Sequence, residues 1–107
     1  MIYTLPLYSD KTARWTSQID LSDKRYMLYF SWNSRCEYWE FSIFNDNKKL
    51  LVGGIRLVTG INLLDEYRNY SIELPAGQLQ VVPKNNIVEG ITRDNLNSSY
   101  VLIYNEE

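Results

Sequence analysis

Residues 24–60 read KRYMLYFSWNSRCEYWEFSIFNDNKKLLVGGIRLVTG, and this stretch decides the fold. Tyr26, Leu28, Phe30 and Trp32 recur at every second position, as do Trp39, Phe41 and Ile43. Successive side chains of a strand point to opposite faces. A period of two with large aromatics on one side therefore predicts two half-buried strands. Asn33-Ser34-Arg35-Cys36 lies between them and has the length of a hairpin loop. Asn45-Asp46-Asn47-Lys48 predicts a second turn, because Asn and Asp tolerate left-handed backbone and bond their own main chain. A third apolar run, residues 50–58, is interrupted by Gly53-Gly54, which predicts a bulge or sharp bend.

The other face of this hairpin is unusual. It carries Met27, Tyr29 and Ser31 on the first arm, and Tyr38, Glu40, Ser42 and Phe44 on the second. So much apolar surface predicts that the face packs under another strand or meets a partner.

Upstream, residues 2–8 alternate but contain Pro6, which cannot donate to a ladder, so an edge strand or a strand broken at the proline is expected. Arg14–Leu21 places Trp15, Ser17, Ile19 and Leu21 on one face and polar residues on the other, a one-sided strand. Downstream, residues 61–67 could continue the strand or form a single helical turn, and they are read as loop. Short strands are expected at 70–74, 78–82 and 87–91, and residues 92–96 suggest a turn capped by Thr92. The last run, residues 99–104, is apolar on both faces, with Tyr100, Leu102 and Tyr104 opposed to Val101 and Ile103, which predicts a central strand. Roughly seven to eight short strands without a long helix predict an all-β fold, a small antiparallel barrel or sandwich. With 107 residues, the chain is expected to form a single domain over 1–107 and to bury a core without staples.

Composition narrows the chemistry. Histidine is absent, which removes the commonest general base, the commonest metal ligand and every Ser-His or Cys-His nucleophile pair. The single cysteine, Cys36, excludes an internal disulfide and fits a reducing compartment. The net charge of −2 is spread in mixed sign along the chain, so no basic block points to a specific nucleic acid partner. No apolar run is long enough to span a membrane, and the opening MIYTLPLYSDK does not read as a signal peptide.

The candidate chemistries are weak. Asp65-Glu66, Asp20 with Asp23, and Glu37 with Glu40 are pairs of carboxylates. Glu37 and Glu40 have opposite parity and point to opposite faces, and the others read as solvated loop charge. Asn45-Asp46-Asn47 lacks the spacing and distal Glu of a calcium loop. Cys36 sits beside Arg35 in a turn but has no His base. No Gly-rich phosphate loop is present, since Gly53-Gly54 leads into a strand. An enzyme is therefore not expected, nor any cofactor or metal. With nine Tyr and three Trp, the aromatics are the remaining signal. They suit a stacking platform for sugars or oligonucleotides, but each Trp lies on the apolar face of its strand, which predicts core.

The order and spacing of several landmarks resemble the small plug proteins of cyanophage-type contractile-tail baseplates. The landmarks are Ile19-x-Leu21, Tyr26-x-Leu28-x-Phe30-x-Trp32-Asn33, Trp39-x-Phe41-x-Ile43, Leu51-x-Gly53-x-x-Leu57-Val58-x-Gly60-x-x-Leu63-Leu64, Thr92-x-Asp94-Asn95-Leu96 and Val101-x-Ile103-Tyr104. The resemblance covers nearly the whole chain. It implies a non-catalytic structural protein of the virion tail baseplate, made in the host cytoplasm. Its partners would be other baseplate proteins, chiefly the central hub, with three copies per particle. The alternative is a small carbohydrate- or oligonucleotide-binding β module. On the plug reading, the interface is expected at surface apolar positions: Met27, Tyr29, Tyr38 and Phe44 on the second hairpin face, and Tyr3 and Tyr8 near the first strand. Arg35, Tyr67 and Arg68 in loops are possible additions.

Overall fold

The chain opens with β1 (Ile2–Leu5), which stops before Pro6, where a ladder donor would be missing. Four strands joined by tight turns follow: β2 (Arg14–Leu21), β3 (Lys24–Asn33), β4 (Tyr38–Phe44) and β5 (Leu50–Arg56). They pair antiparallel in the order β2-β3-β4-β5. The computed structural model describes residues 2–21, 23–67, 73–84 and 90–106.

Local chemistry explains each turn. Asn33 Oδ1 accepts from the N–H groups of Arg35 and Cys36 at 3.1 and 3.0 Å. Asn45 Oδ1 accepts from Asn47 and Lys49, both at 2.9 Å. Both side chains thus replace backbone partners, the usual reason Asn begins a turn. Each turn also contains one left-handed residue: Asp23 (φ 65°), Glu37 (φ 59°) and Lys48 (φ 64°). The loop between β3 and β4 therefore spans residues 34–37, one residue later than the sequence suggests.

Gly53-Gly54 forms the expected bulge. Val52 faces Ile43 and Ile55 faces Phe41, so β5 sets two residues, Gly53 and Gly54, opposite Ser42 alone. Gly54 sits at φ 69°, which glycine adopts without steric cost, and its N–H donates to Ser42 Oγ at 3.2 Å. A second register shift between Ile43 and Phe44 places Leu50 opposite Phe44.

The smaller sheet contains β1, β6 (Gln78–Pro83) and β7 (Tyr100–Asn105) in the order β1-β7-β6. The last strand is central, as its two apolar faces predict. A 3-10 turn (Asp65–Tyr67) and one short helix, α1 (Leu96–Ser99), lie in the connections. Thr92 and Asn95 bond each other's main chain, Thr92 N–H to Asn95 Oδ1 at 2.7 Å and Asn95 N–H to Thr92 Oγ1 at 3.2 Å, so Thr92 closes the turn that precedes α1. Of the strand expected at 70–74, residues 70–72 lie outside the described residues and Leu74 is buried in a bend. Of that at 87–91, residues 87–89 lie outside them and Ile91 is in no strand.

One hydrophobic cluster draws on both sheets, with Leu28, Phe30, Trp39, Phe41 and Ile43 from one and Leu5, Leu79, Val81, Leu102 and Tyr104 from the other. This is a sandwich-like arrangement. The barrel alternative fails because no ladder closes the two sheets; among the described residues they approach pairing only through a parallel bridge between Thr59 and Val81. The polar atoms of buried tyrosines are partnered. Tyr26 donates to the Glu73 carbonyl at 2.6 Å, and Tyr104 Oη accepts from the Gly77 N–H at 2.7 Å.

Gly77 is where the packing leaves no room. A Cβ there would lie 2.5 Å from the Asn105 carbonyl oxygen and 2.6 Å from Tyr104 Cζ. Gly77→Ala is expected to destabilise the fold by about 1–3 kcal/mol through overpacking. Gly90→Ala, where a Cβ meets nothing within 4 Å, should stay within about 0.5 kcal/mol. Urea titration of both variants measures the difference.

Burial, reinforced by Tyr104 and Glu73, raises the Tyr26 hydroxyl above the ordinary 10.0. A group raised in the folded state contributes stability below its unfolded value and loses it as pH climbs through the folded one. The stability advantage of wild type over Tyr26→Phe should therefore shrink as pH rises above about 10, measured by denaturant titration at pH 9 and 11.

Candidate interaction surface

Ladder register sets the outer face of the four-stranded sheet. Gln18, Met27, Phe44 and Leu50 form one row across the strands, and Thr16, Tyr29 and Ser42 form the next. Arg14, Ser31, Glu40 and Arg56 form a third, and Asn33 with Tyr38 a fourth. Met27, Tyr29, Tyr38 and Phe44 are therefore brought onto one face, each half-buried. They are not contiguous. The row containing Glu40 and Arg56 separates Tyr38 from the other three, and the Arg56 guanidinium lies over the Tyr38 ring at 4.9 Å.

Leu50 belongs to this surface and was missed by sequence periodicity. It is 51% exposed, pairs with Phe44, and lies against the position a Gly53 side chain would take. The bulge hides it: once β5 carries extra residues, counting by twos no longer assigns faces. Ile2, at 63% exposure, and Ile61 are the other large apolar side chains exposed beyond those anticipated.

The remaining anticipated positions lie elsewhere. Tyr3 projects from β1, stacks on Tyr104 at 6.4 Å and donates to Glu106 at 3.3 Å. Tyr8 follows Pro6 and sets its ring edge-on to Trp15 at 6.0 Å. Arg35 is exposed at the tip of the β3–β4 turn. Tyr67 packs against the core from the 3-10 turn, and Arg68 lies outside the described residues. The eight described positions thus occupy several separate parts of the molecule.

The tryptophans are core or core-supporting. Trp39 is fully buried and donates its indole N–H to the Thr92 carbonyl at 3.1 Å. Trp15 is 8% exposed and stacks on Phe30 at 4.9 Å, while Trp32 packs edge-on to Trp39 at 5.5 Å. Trp32 alone of the three is partly exposed.

The carboxylate pairs read from the sequence do not form a shared site. Asp20 pairs with Arg25 at 3.1 Å, and Asp65 and Glu66 are exposed. Among the described residues, no three of His, Cys, Asp or Glu are placed to hold one metal ion. The Asn45 carboxamide oxygen that a calcium loop would need is occupied by its own turn. A cleft of about 360 Å³ opens beside Tyr38, Arg56, Pro83 and Tyr100, and among the described residues Arg56 is its one charged lining residue. Among the described residues, no helix is long and apolar enough to cross a membrane.

The surface thus offers aromatic and apolar rows framed by charge, a composition suited to another protein surface. No curated protein matches the chain. The profile of the family described as cyanophage baseplate Pam3 plug gp18 matches residues 2–107, nearly the full length. The chain belongs to that family of phage baseplate plug proteins.

Proposed function

We propose that this protein is a non-catalytic plug that docks on the central hub of a contractile-tail baseplate. The observation that carries this reading is the match of a baseplate plug family over residues 2–107. A phage tail baseplate structural protein is what that family membership gives. The hub as partner, three copies per particle and synthesis in the host cytoplasm are the finer parts of the proposal.

The docking surface in this reading is the outer face of the four-stranded sheet. Its centre would be the row Met27, Phe44 and Leu50, extended by Tyr29. These side chains are large and uncharged, and fully burying each is worth about 1.5–3 kcal/mol. The charged row with Glu40 and Arg56, and Tyr38 beyond it, would form the rim. Apolar centres with polar rims are the usual anatomy of protein interfaces.

Particles purified by density gradient should contain the protein in a fixed ratio to the hub. Finding it only free in the host cytoplasm overturns the reading. Met27→Glu combined with Leu50→Lys should cut incorporation at least about tenfold, equivalent to about 1.4 kcal/mol, with the far-UV spectrum unchanged. Loss of the folded spectrum would instead make these side chains part of the core. The sugar- or oligonucleotide-binding alternative needs accessible tryptophan. The expected outcome is a blue-shifted tryptophan emission that does not respond to simple sugars or single-stranded DNA.

A further inference from the structure

Charge is balanced unevenly on the outer face of the larger sheet. Asp20 and Arg25 are ladder partners and are joined at 3.1 Å. Glu40 and Arg56 are ladder partners too, yet they form no ion pair with each other. Among the described residues, no carboxylate lies within salt-bridge distance of the Arg56 guanidinium and no acceptor takes a hydrogen bond from it. It lies instead over the Tyr38 ring at 4.9 Å. The ring restricts where the guanidinium can go, while its N–H donors stay available to an incoming group.

A second observation concerns the space beside it. Tyr38 and Arg56 also line the cleft of about 360 Å³ that continues to Thr59, Pro83 and Tyr100. Among the described residues this cleft holds one cation and no carboxylate, so its field favours an anionic group. The position relative to the apolar row matters as well. Glu40, with Arg56 beside it, lies four residues from Phe44 along β4, about 13 Å in an extended strand. A partner seated on Met27, Phe44 and Leu50 over an interface of ordinary size, about 800 Å² per side, also covers Arg56. Covering a guanidinium without a counter-charge is unfavourable, and a carboxylate that binds it through two N–H groups removes that cost.

We propose that Arg56, steadied by Tyr38, is the receptor for an Asp or Glu side chain of the hub, which enters the cleft as the apolar row docks. The apolar row supplies contact area, and the arginine fixes where along the sheet the partner sits. Lysine is not equivalent here, since an ammonium neither stacks on the ring in the same way nor grips a carboxylate with two parallel bonds. This inference rests on the plug reading and specifies the chemistry of its contact.

The test measures incorporation of full-length variants into gradient-purified tail particles, with urea titration of each isolated variant as the folding control. Arg56→Glu should lower incorporation at least about tenfold, and Arg56→Lys should fall between it and wild type. Glu40→Gln should leave incorporation unchanged or raise it. Release of wild type from particles should increase with sodium chloride, and Arg56→Gln should weaken that salt dependence even if Arg56→Glu fails to fold. If wild type is present in particles and the folded Arg56 variants behave like it, the carboxylate contact is wrong and the plug reading stands. If wild type is absent from particles, both fall. A loss for Glu40→Gln as large as for Arg56→Glu would show that Glu40 neutralises the arginine on docking and overturn the hub carboxylate. Self-association of the isolated protein that Arg56→Glu abolishes would place the carboxylate on a second copy, with the same consequence.

Discussion

The rest of the structure hangs on the Trp39 indole. It is fully buried on β4, with Trp15 at 5.4 Å, Trp32 at 5.5 Å and the Arg93 guanidinium over its ring at 5.1 Å. Its N–H reaches the Thr92 carbonyl, far along the chain. One side chain therefore ties the larger sheet to the segment that leads into α1 and β7. The Thr92 carbonyl that accepts it belongs to the turn closed by Thr92 and Asn95. The placement of β7 is thereby coupled to the core of the other sheet. Arg93 reinforces the tie, since it also donates to the Ser9 carbonyl at 2.7 Å and so joins the segment after β1 to the one before β7.

This coupling decides why the sheets form an open sandwich. β1 and β7 pair across nearly the whole chain length, which fixes the smaller sheet over the aromatic layer of the larger one. A closed barrel would need a ladder between the sheets, but the chain after β5 uses its polar groups otherwise. Asn62 bonds Leu64 and Leu79, and Leu63 bonds Leu79, so this segment covers the β6 edge instead of continuing β5 around it. Leu63 and Leu64 are buried as a result. Contacts between distant segments of this kind are invisible to local periodicity.

Legibility in the sequence follows the same division. Arg14–Leu21 and Tyr38–Phe44 can be read to the residue because their alternation is unbroken and one face is apolar. The Gly pair announces its bulge, and the two-sided apolar pattern of the last strand announces its central place. What local pattern misses is set by register or by distant contacts. Leu50 leaves the inward face of Val52 for the outer face because a register shift falls between them. Tyr67 looks like a loop residue, yet it supports the core from a 3-10 turn. At the surface, parity identifies Met27, Tyr29, Tyr38 and Phe44 as sharing a face. It does not reveal that the row with Glu40 and Arg56 divides them, because cross-strand order is a property of pairing.

The two sheets therefore present different surfaces to a partner. The outer face of the larger sheet mixes large apolar side chains with Arg14, Asp20, Arg25, Glu40 and Arg56. Such a face stays soluble alone, because its charges hold water and oppose indiscriminate stacking. The outer face of the smaller sheet carries Ile2, Thr4, Gln78, Gln80, Val82, Val101, Ile103 and Asn105, with no charge among them. Tyr3 of β1 borders a cleft lined by Asp20, Asp23, Arg25 and Glu106. The uncharged sheet offers little to discriminate partners by itself, since apolar and amide surfaces accept many neighbours. On the larger sheet, the charged row that interrupts the apolar ones is the feature by which one neighbour could be told from another.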